Sequence, residues 1–322
     1  MSSFGVGRVS SLFVYPMSFD EFLTATGQEG LLRTKRNSSP TNPLPEAFYN
    51  RLVEAFRSYM LVGGMPEAVA IYTETGSYRY SSDIVNEIIQ GYQDDFAKYG
   101  AKANPLLLRQ TLISVAHQAG AKFVYSRVEG QYRSAEVKVA LEMLKDAGLI
   151  IPTYHTDANG VPLGAEINER VVKYLIHDTG VLLGILGIDD DIDDSIKEMM
   201  VADSINLVDK GHVAEMMAGL ELIKYSSPQK RHQLYYWQNM NKGTCAEVDY
   251  VIARSGSIVP IEVKSGVKGS MSSMYSLMRN PQKHIEMGIR CSLENFGTFE
   301  SPDGKKIDII PLYAISNLFA EK

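Results

Sequence analysis

Between Tyr236 and Gly266 the sequence YYWQNMNKGTCAEVDYVIARSGSIVPIEVKSG gathers Glu247, Asp249, Glu262 and Lys264. Apolar and polar residues alternate on either side of Ser255-Gly256, the pattern of two short strands joined by a tight turn. Val248, Tyr250 and Ile252 share one face of the first strand, with Glu247 and Asp249 on the other. Val259, Ile261 and Val263 form the apolar face of the second strand, and Glu262 and Lys264 point away from it. A two-residue loop at Ser255-Gly256 then sets Asp249 opposite Glu262 and Glu247 opposite Lys264, with Cβ atoms roughly 4.5–5.5 Å apart. Two carboxylates that close repel unless a cation or a proton joins them. The spacing therefore asks for a divalent metal. The same residues also suit a solvated sheet face with a cross-strand salt bridge, and spacing alone leaves both readings open.

The elements that must position these residues follow from periodicity. GHVAEMMAGLELI, from Gly211, is a helix with Val213, Met217 and Leu220 inward and Glu215 near its start. Leu234–Gln238 is a strand, then come the acidic hairpin, a helix near Ser272–Met287, and strands at Ile289–Leu293 and Ile307–Ile315. This α-β-β-β-α-β-β order implies a mixed α/β core whose acidic strands are mostly exposed.

Upstream, Val9 to Tyr15 reads as a strand, and Ser18 with Glu21 as a capping box. Residues 27–45, with three prolines, read as a long loop. Helices follow from Phe48 to Tyr59 and from about Tyr78 to Tyr99, where Ile84, Ile88, Tyr92 and Phe96 recur every fourth residue. Helices at Leu107–Gln118, near Lys122–Val128 and at Tyr132–Lys145 precede a hairpin from LIIPTYH to a strand near Val171–His177. Three helices and a hairpin make a winged-helix pattern, whose third helix can enter a DNA groove. That helix mixes Arg133, Lys138 and Lys145 with Glu136, Glu142 and Asp146. The acidic run at 189–199 lacks the glycine and final glutamate of a calcium loop and reads as a connection.

At 322 residues, 45% hydrophobic and 22% charged, the chain has the balance of a soluble globular protein of two or three domains. A net charge of −6 removes any general basic field for nucleic acid but permits a local basic groove. Cys245 and Cys291 lack paired-ligand spacing, so free thiols in a reducing compartment are expected. Neither a secretory signal nor an apolar run long enough for a membrane span is present, and a cytoplasmic protein without membrane contact is the expectation.

Asp249, twelve intervening residues and then Glu262-Val263-Lys264 resemble the relaxed form of the PD-(D/E)XK nuclease signature. A broader resemblance runs from Gly7 to Gly266, through GRVSSLFVYPMSFDEFL, YMLVGGMPEAV, LEMLKDAGLI, KYLIHDTGVLLGIL, YYWQNMNKGTCAEVDYVI and VPIEVKSG. Together these blocks are similar to a prokaryotic family of AAA-type ATPases with a C-terminal domain of unknown function. The resemblance implies a remnant of the end of an ATPase domain at 1–30, a helical linker region at 31–104, a winged-helix unit at 105–188 and a restriction-endonuclease-like domain at 200–322. Where that family has a P-loop, GxxxxGK[ST], this sequence has none, and Gly5-Val6-Gly7-Arg8 is no substitute, so no ATP site is expected.

If the nuclease-like site is intact, Asp249 and Glu262 are the expected ligands of Mg²⁺ or Mn²⁺, hard cations that prefer oxygen. The superfamily's geometry adds the Val263 carbonyl, and Glu215 matches the helix that supplies a further acidic ligand. Lys264 would orient the attacking water or stabilise phosphate charge, and Glu247 is a bystander that pairs with Lys264. Lys268, Lys283 and His284 are candidates for the phosphate backbone. The expected partners are DNA, a second copy of the chain or a separate ATPase subunit. A degenerate fold that binds nucleic acid or protein without cutting is the competing expectation.

Overall fold

The structure, a computed structural model, describes residues 10–98, 104–187, 194, 211–239, 246–266 and 269–319. The expectations for Gly5 to Arg8, Cys245, Lys268 and most of 189–199 lie outside the described residues. From the acidic run only Asp194 is described, accepting hydrogen bonds from Ser77 Oγ and the Arg79 N–H, both at 2.7 Å.

Ser18 opens α1 (Phe19–Ala25) through the expected capping box, its hydroxyl and backbone engaging Glu21 reciprocally. Residues 10–15 form no strand, and there Phe13 N–H reaches the Pro228 carbonyl at 2.8 Å. The expected loop at 27–45 contains α2 (Glu29–Arg36), which turns Leu31, Leu32 and Lys35 inward. Lys35 reads as a surface residue yet is fully buried. Its ammonium meets Asp20, whose carboxyl stays below the usual range because the Lys35 charge, the hydrogen bonds from Lys35 and Tyr225 and the Arg36 charge together outweigh the effect of burial.

Beyond it run α3 (Glu46–Val62), α4 (Pro66–Thr75) and α5 (Tyr78–Lys98). The sequence reading had no α4, a short helix that Pro66 begins and Gly76 ends. Phe19, Phe22, Phe56 and Tyr59 stack edge and face between α1 and α3.

The middle of the chain contributes α6 (Pro105–His117), a single 3-10 turn (Tyr125–Arg127), α7 (Ser134–Asp146), β1 (Ile150–Thr156), β2 (Ile167–Ile176) and α8 (Thr179–Ile185). After α9 (Gly211–Lys224) come β3 (Leu234–Gln238), β4 (Glu247–Val248), β5 (Tyr250–Arg254) and β6 (Ser257–Val263). The chain then forms α10 (Ser272–Arg279), β7 (Met287–Ser292), β8 (Gly297–Glu300) and β9 (Lys306–Pro311). Pro281 cuts short the helix expected to reach Met287, and Pro311 turns the last strand into a 3-10 segment (Leu312–Leu318).

The class is mixed α/β, as expected, with two sheets among the described residues. One runs β2-β1-β3-β4 and joins the middle hairpin to the strands after α9. The other runs β5-β6-β7-β9-β8, with β6, β7 and β9 parallel. One cluster of buried apolar side chains extends from Phe19 to Leu318, and a second gathers Trp237, Val248, Val251, Met274 and Ile307. No helix among the described residues is long and apolar enough to cross a membrane.

Candidate acidic site where the chain crosses between sheets

The hairpin register is the expected one, from Tyr250 opposite Ile261 to Arg254 opposite Ser257. Ser255 and Gly256 take positive φ values of 50° and 78°, the two left-handed positions that let a two-residue turn follow strand twist. The expected first strand, however, breaks at Asp249. Val248 pairs with Trp237 in one sheet, Tyr250 pairs with Ile261 in the other, and Asp249 occupies the bend between them. Its Oδ2 accepts the Val263 N–H at 2.7 Å, which holds the bend against the end of β6.

Glu262 lies near the end of β6, between β5 and β7, and is 5% exposed, so the expectation of an exposed acidic face fails here. Oε1 takes the Lys264 ammonium at 2.6 Å, while Oε2 is buried without a hydrogen-bond partner. Burial and the neighbouring Asp249 charge push the Glu262 carboxyl up to about 7 against the opposing pull of Lys264. Asp249 is also raised, chiefly by burial, with the Val263 N–H and both lysines opposing.

Lys264 is held from two sides. Its N–H reaches the Cys291 carbonyl at 2.7 Å, and its stem packs where a Cβ on Gly269, at φ +151°, would stand 2.7 Å away. Across from Glu262 on β7, Arg290 turns to Glu294 at 2.6 Å.

Glu215 is 8% exposed on α9, and its Oε1 lies 2.8 Å from Lys173 Nζ. Burial, then the Asp249 charge, raise the Glu215 carboxyl to about 8, although Lys173 opposes them. Its Oε2 faces the loop after α6, where a Cβ on Gly120 (φ +75°) would come within 3.2 Å. Glu247 does not face Lys264. Its strand pairs with β3, and its Oε1 meets Lys173 at 2.5 Å instead.

Lys173, on β2 and 1% exposed, is the residue the sequence reading missed. Its ammonium also stands 4.9 Å from the centre of the Tyr236 ring, a cation–π arrangement. Glu215 and Glu247 raise its pKa despite burial, so the side chain is charged. The signal was a lysine inside the apolar run VVKYLI, because a buried ammonium has to find carboxylates.

The other expected contacts are dispersed. Lys283 is buried and donates to the Asp157 carbonyl and to Asn159 Oδ1, which takes it away from any phosphate, and burial lowers its pKa. His284 is exposed, with φ +48°. On α7 and its N-cap, Arg133 and Lys138 are exposed, while Lys145 pairs with Glu142.

Among the described residues no group of three or more His, Cys, Asp or Glu side chains is arranged to hold a metal ion. The expected donor set is smaller: two carboxylates, Asp249 and Glu262, and the Val263 carbonyl.

No curated protein and no solved structure matches the chain significantly. Two family models do, both described as domains of unknown function: DUF8612 over residues 53–192 and DUF4143 over residues 210–315. Residues 210–315 are thus similar to DUF4143, a kind of domain often associated with AAA-type ATPases, and residues 53–192 to DUF8612.

Proposed function

We propose that the chain is the C-terminal part of an AAA-type ATPase family protein, without an ATP site, whose last domain is a metal-dependent, nuclease-like unit acting on DNA. The observation that carries the reading is the buried Glu262 Oε2, an acceptor without a partner next to the Asp249 carboxylate. An unsatisfied buried acceptor costs about 1–3 kcal/mol, and more when charged. A divalent cation relieves that cost and the repulsion between the two carboxylates.

The residues fit a hard cation, because every donor present is an oxygen. Asp249, Glu262 and the Val263 carbonyl would hold Mg²⁺ or Mn²⁺. When bound, such an ion polarises a phosphate and lowers the pKa of a water. Lys264, on Glu262 Oε1, is the group placed to hold that water or to balance charge growing on the phosphate. The Asp249–Val263 hydrogen bond keeps the two strand ends together, which fixes the distance between the carboxylates before substrate arrives.

The test is cleavage of single- and double-stranded DNA with Mg²⁺ or Mn²⁺, comparing the wild type with Asp249→Ala and Lys264→Ala. The expected loss is about 100-fold or more for each variant. Variants that cut as fast as the wild type would sink the site. A second reading is favoured by Lys173, which already pairs with both Glu215 and Glu247: a non-catalytic module that binds DNA or docks on an ATPase subunit. DNA binding by fluorescence anisotropy with no cleavage under any divalent cation would select it.

A further inference from the structure

The acidic site contains four carboxylates that act on one another's charge, Glu215, Glu247, Asp249 and Glu262, and two ammonium groups, Lys173 and Lys264. Lys264 belongs to the same strand end as Glu262. Lys173 comes from a separate part of the chain, the middle hairpin, and bonds to both Glu215 and Glu247. It is the more buried of the two lysines, with its side chain 1% exposed against 21% for Lys264.

We propose that Lys173 is a built-in counter-cation that takes the place of a second metal ion, so that the centre accepts one divalent cation and Glu215 serves the lysine rather than the metal. This inference rests on the reading of Asp249 and Glu262 as metal ligands. Lys173 Nζ lies 2.8 Å from Glu215 Oε1 and 2.5 Å from Glu247 Oε1, so the carboxylates that a second ion would draw on are already engaged. Arg290 stays out of this arrangement, because it pairs with Glu294. Lys173 is a positioning residue: by holding Glu215 on α9 and Glu247 on β4, it sets where the bend at Asp249 falls. The middle hairpin is thereby part of the centre.

The experiment is calorimetric titration of the full chain with Mn²⁺ alone. One ion per chain is expected. Two ions of similar affinity would overturn the role of Lys173 while leaving the centre in place, and no binding at all would remove both. In Lys173→Met, with its folded circular-dichroism spectrum checked, a second ion is expected with a Kd within about tenfold of the first, and Lys173→Arg is expected to return to one. A folded Lys173→Met that still takes a single ion counts against the proposal. Should that variant fail to fold, Glu215→Gln decides. An Mn²⁺ affinity within about threefold of wild type supports the assignment, and a loss of roughly tenfold or more puts Glu215 in the metal shell and overturns it.

Discussion

Asp249 Oδ2 accepts the Val263 N–H at 2.7 Å, and this bond ties the crossing point between the two sheets to the end of the interior strand β6. Asparagine keeps an acceptor oxygen of the same reach but carries no charge. Asp249→Asn is therefore expected to fold and to move the Glu262 titration below its present value of about 7, because the Asp249 charge is second only to burial among the causes that raise it. Carboxyl carbon shifts followed by NMR across pH 3 to 9 read this directly. A Glu262 midpoint unchanged by the substitution would show that burial alone sets it.

Stability is expected to depend on pH in the sense opposite to that of a salt-bridged acid. Glu262 holds its proton up to about 7 in the fold, against 4.5 for an ordinary glutamate. Through that window the folded chain binds more protons than the unfolded one, so stability falls as pH rises. Glu215, raised to about 8, extends the fall, and Asp249 acts in the same direction. Mn²⁺ at 100 times its Kd adds about 2.7 kcal/mol to the folded state, a shift of about 5 °C in Tm. That shift should appear at pH 8 and shrink to about 1 °C at pH 5.5, where protons compete for the same oxygens. Thermal unfolding at both pH values tests it, and equal shifts would place the ion elsewhere.

The hairpin register was legible because Ser255-Gly256 interrupts two alternating runs, and the turn fixes everything up to Tyr250 and Ile261. Beyond Tyr250 the local pattern loses its hold. Val248 and Glu247 are drawn to β3 by a pairing that depends on Trp237 and Gln238, some ten residues away across a segment with no strong pattern. Lys173 and Lys35 were invisible for a different reason. Reading polarity as exposure places both outside, whereas each is buried against a carboxylate from another element, the preceding helix for Lys35 and α9 for Lys173. The stripe of α3 was easy to read from Leu52, Ala55, Phe56 and Tyr59, whereas the buried face of α5 runs through Ser81, Val85, Ile89 and Phe96, with the expected Ile84, Ile88 and Tyr92 only partly buried. What the sequence concealed at the site was the location of the buried charge, which tertiary pairing decides.

The Asp20–Lys35 pair fastens α1 and α2 to the C-terminal end of the chain. Lys35 Nζ also reaches Ser316 Oγ at 2.6 Å, and Tyr225 OH donates to Asp20 Oδ1 at 2.9 Å. Asp20→Asn strips the buried ammonium of its counter-charge and is expected to cost about 3–5 kcal/mol in urea unfolding. Lys35→Met in the same chain removes the stranded charge and should recover most of that loss. A single-variant cost below about 1 kcal/mol would mean that water or the Glu221 carboxylate, whose charge also acts on Lys35, does the neutralising.

Gly63 ends α3 at φ +78° and ψ −168°, a region that a side chain makes costly. A Cβ there would lie 2.2 Å from Asp178 Oδ1, the atom that accepts the Val181 N–H and caps α8, while Oδ2 takes the Gly64 N–H at 2.6 Å. Gly63→Ala is expected to combine backbone strain with the loss of that cap, about 2–4 kcal/mol in total. Asp178→Ala alone should cost about 1–3 kcal/mol, since it strands buried N–H groups. The double variant should cost less than the two single losses added together, because removing the Asp178 side chain makes room for the new methyl. A coupling of about 1 kcal/mol in a urea double-mutant cycle is the expected reading. Strict additivity would show that the strain at Gly63 resides in its backbone alone.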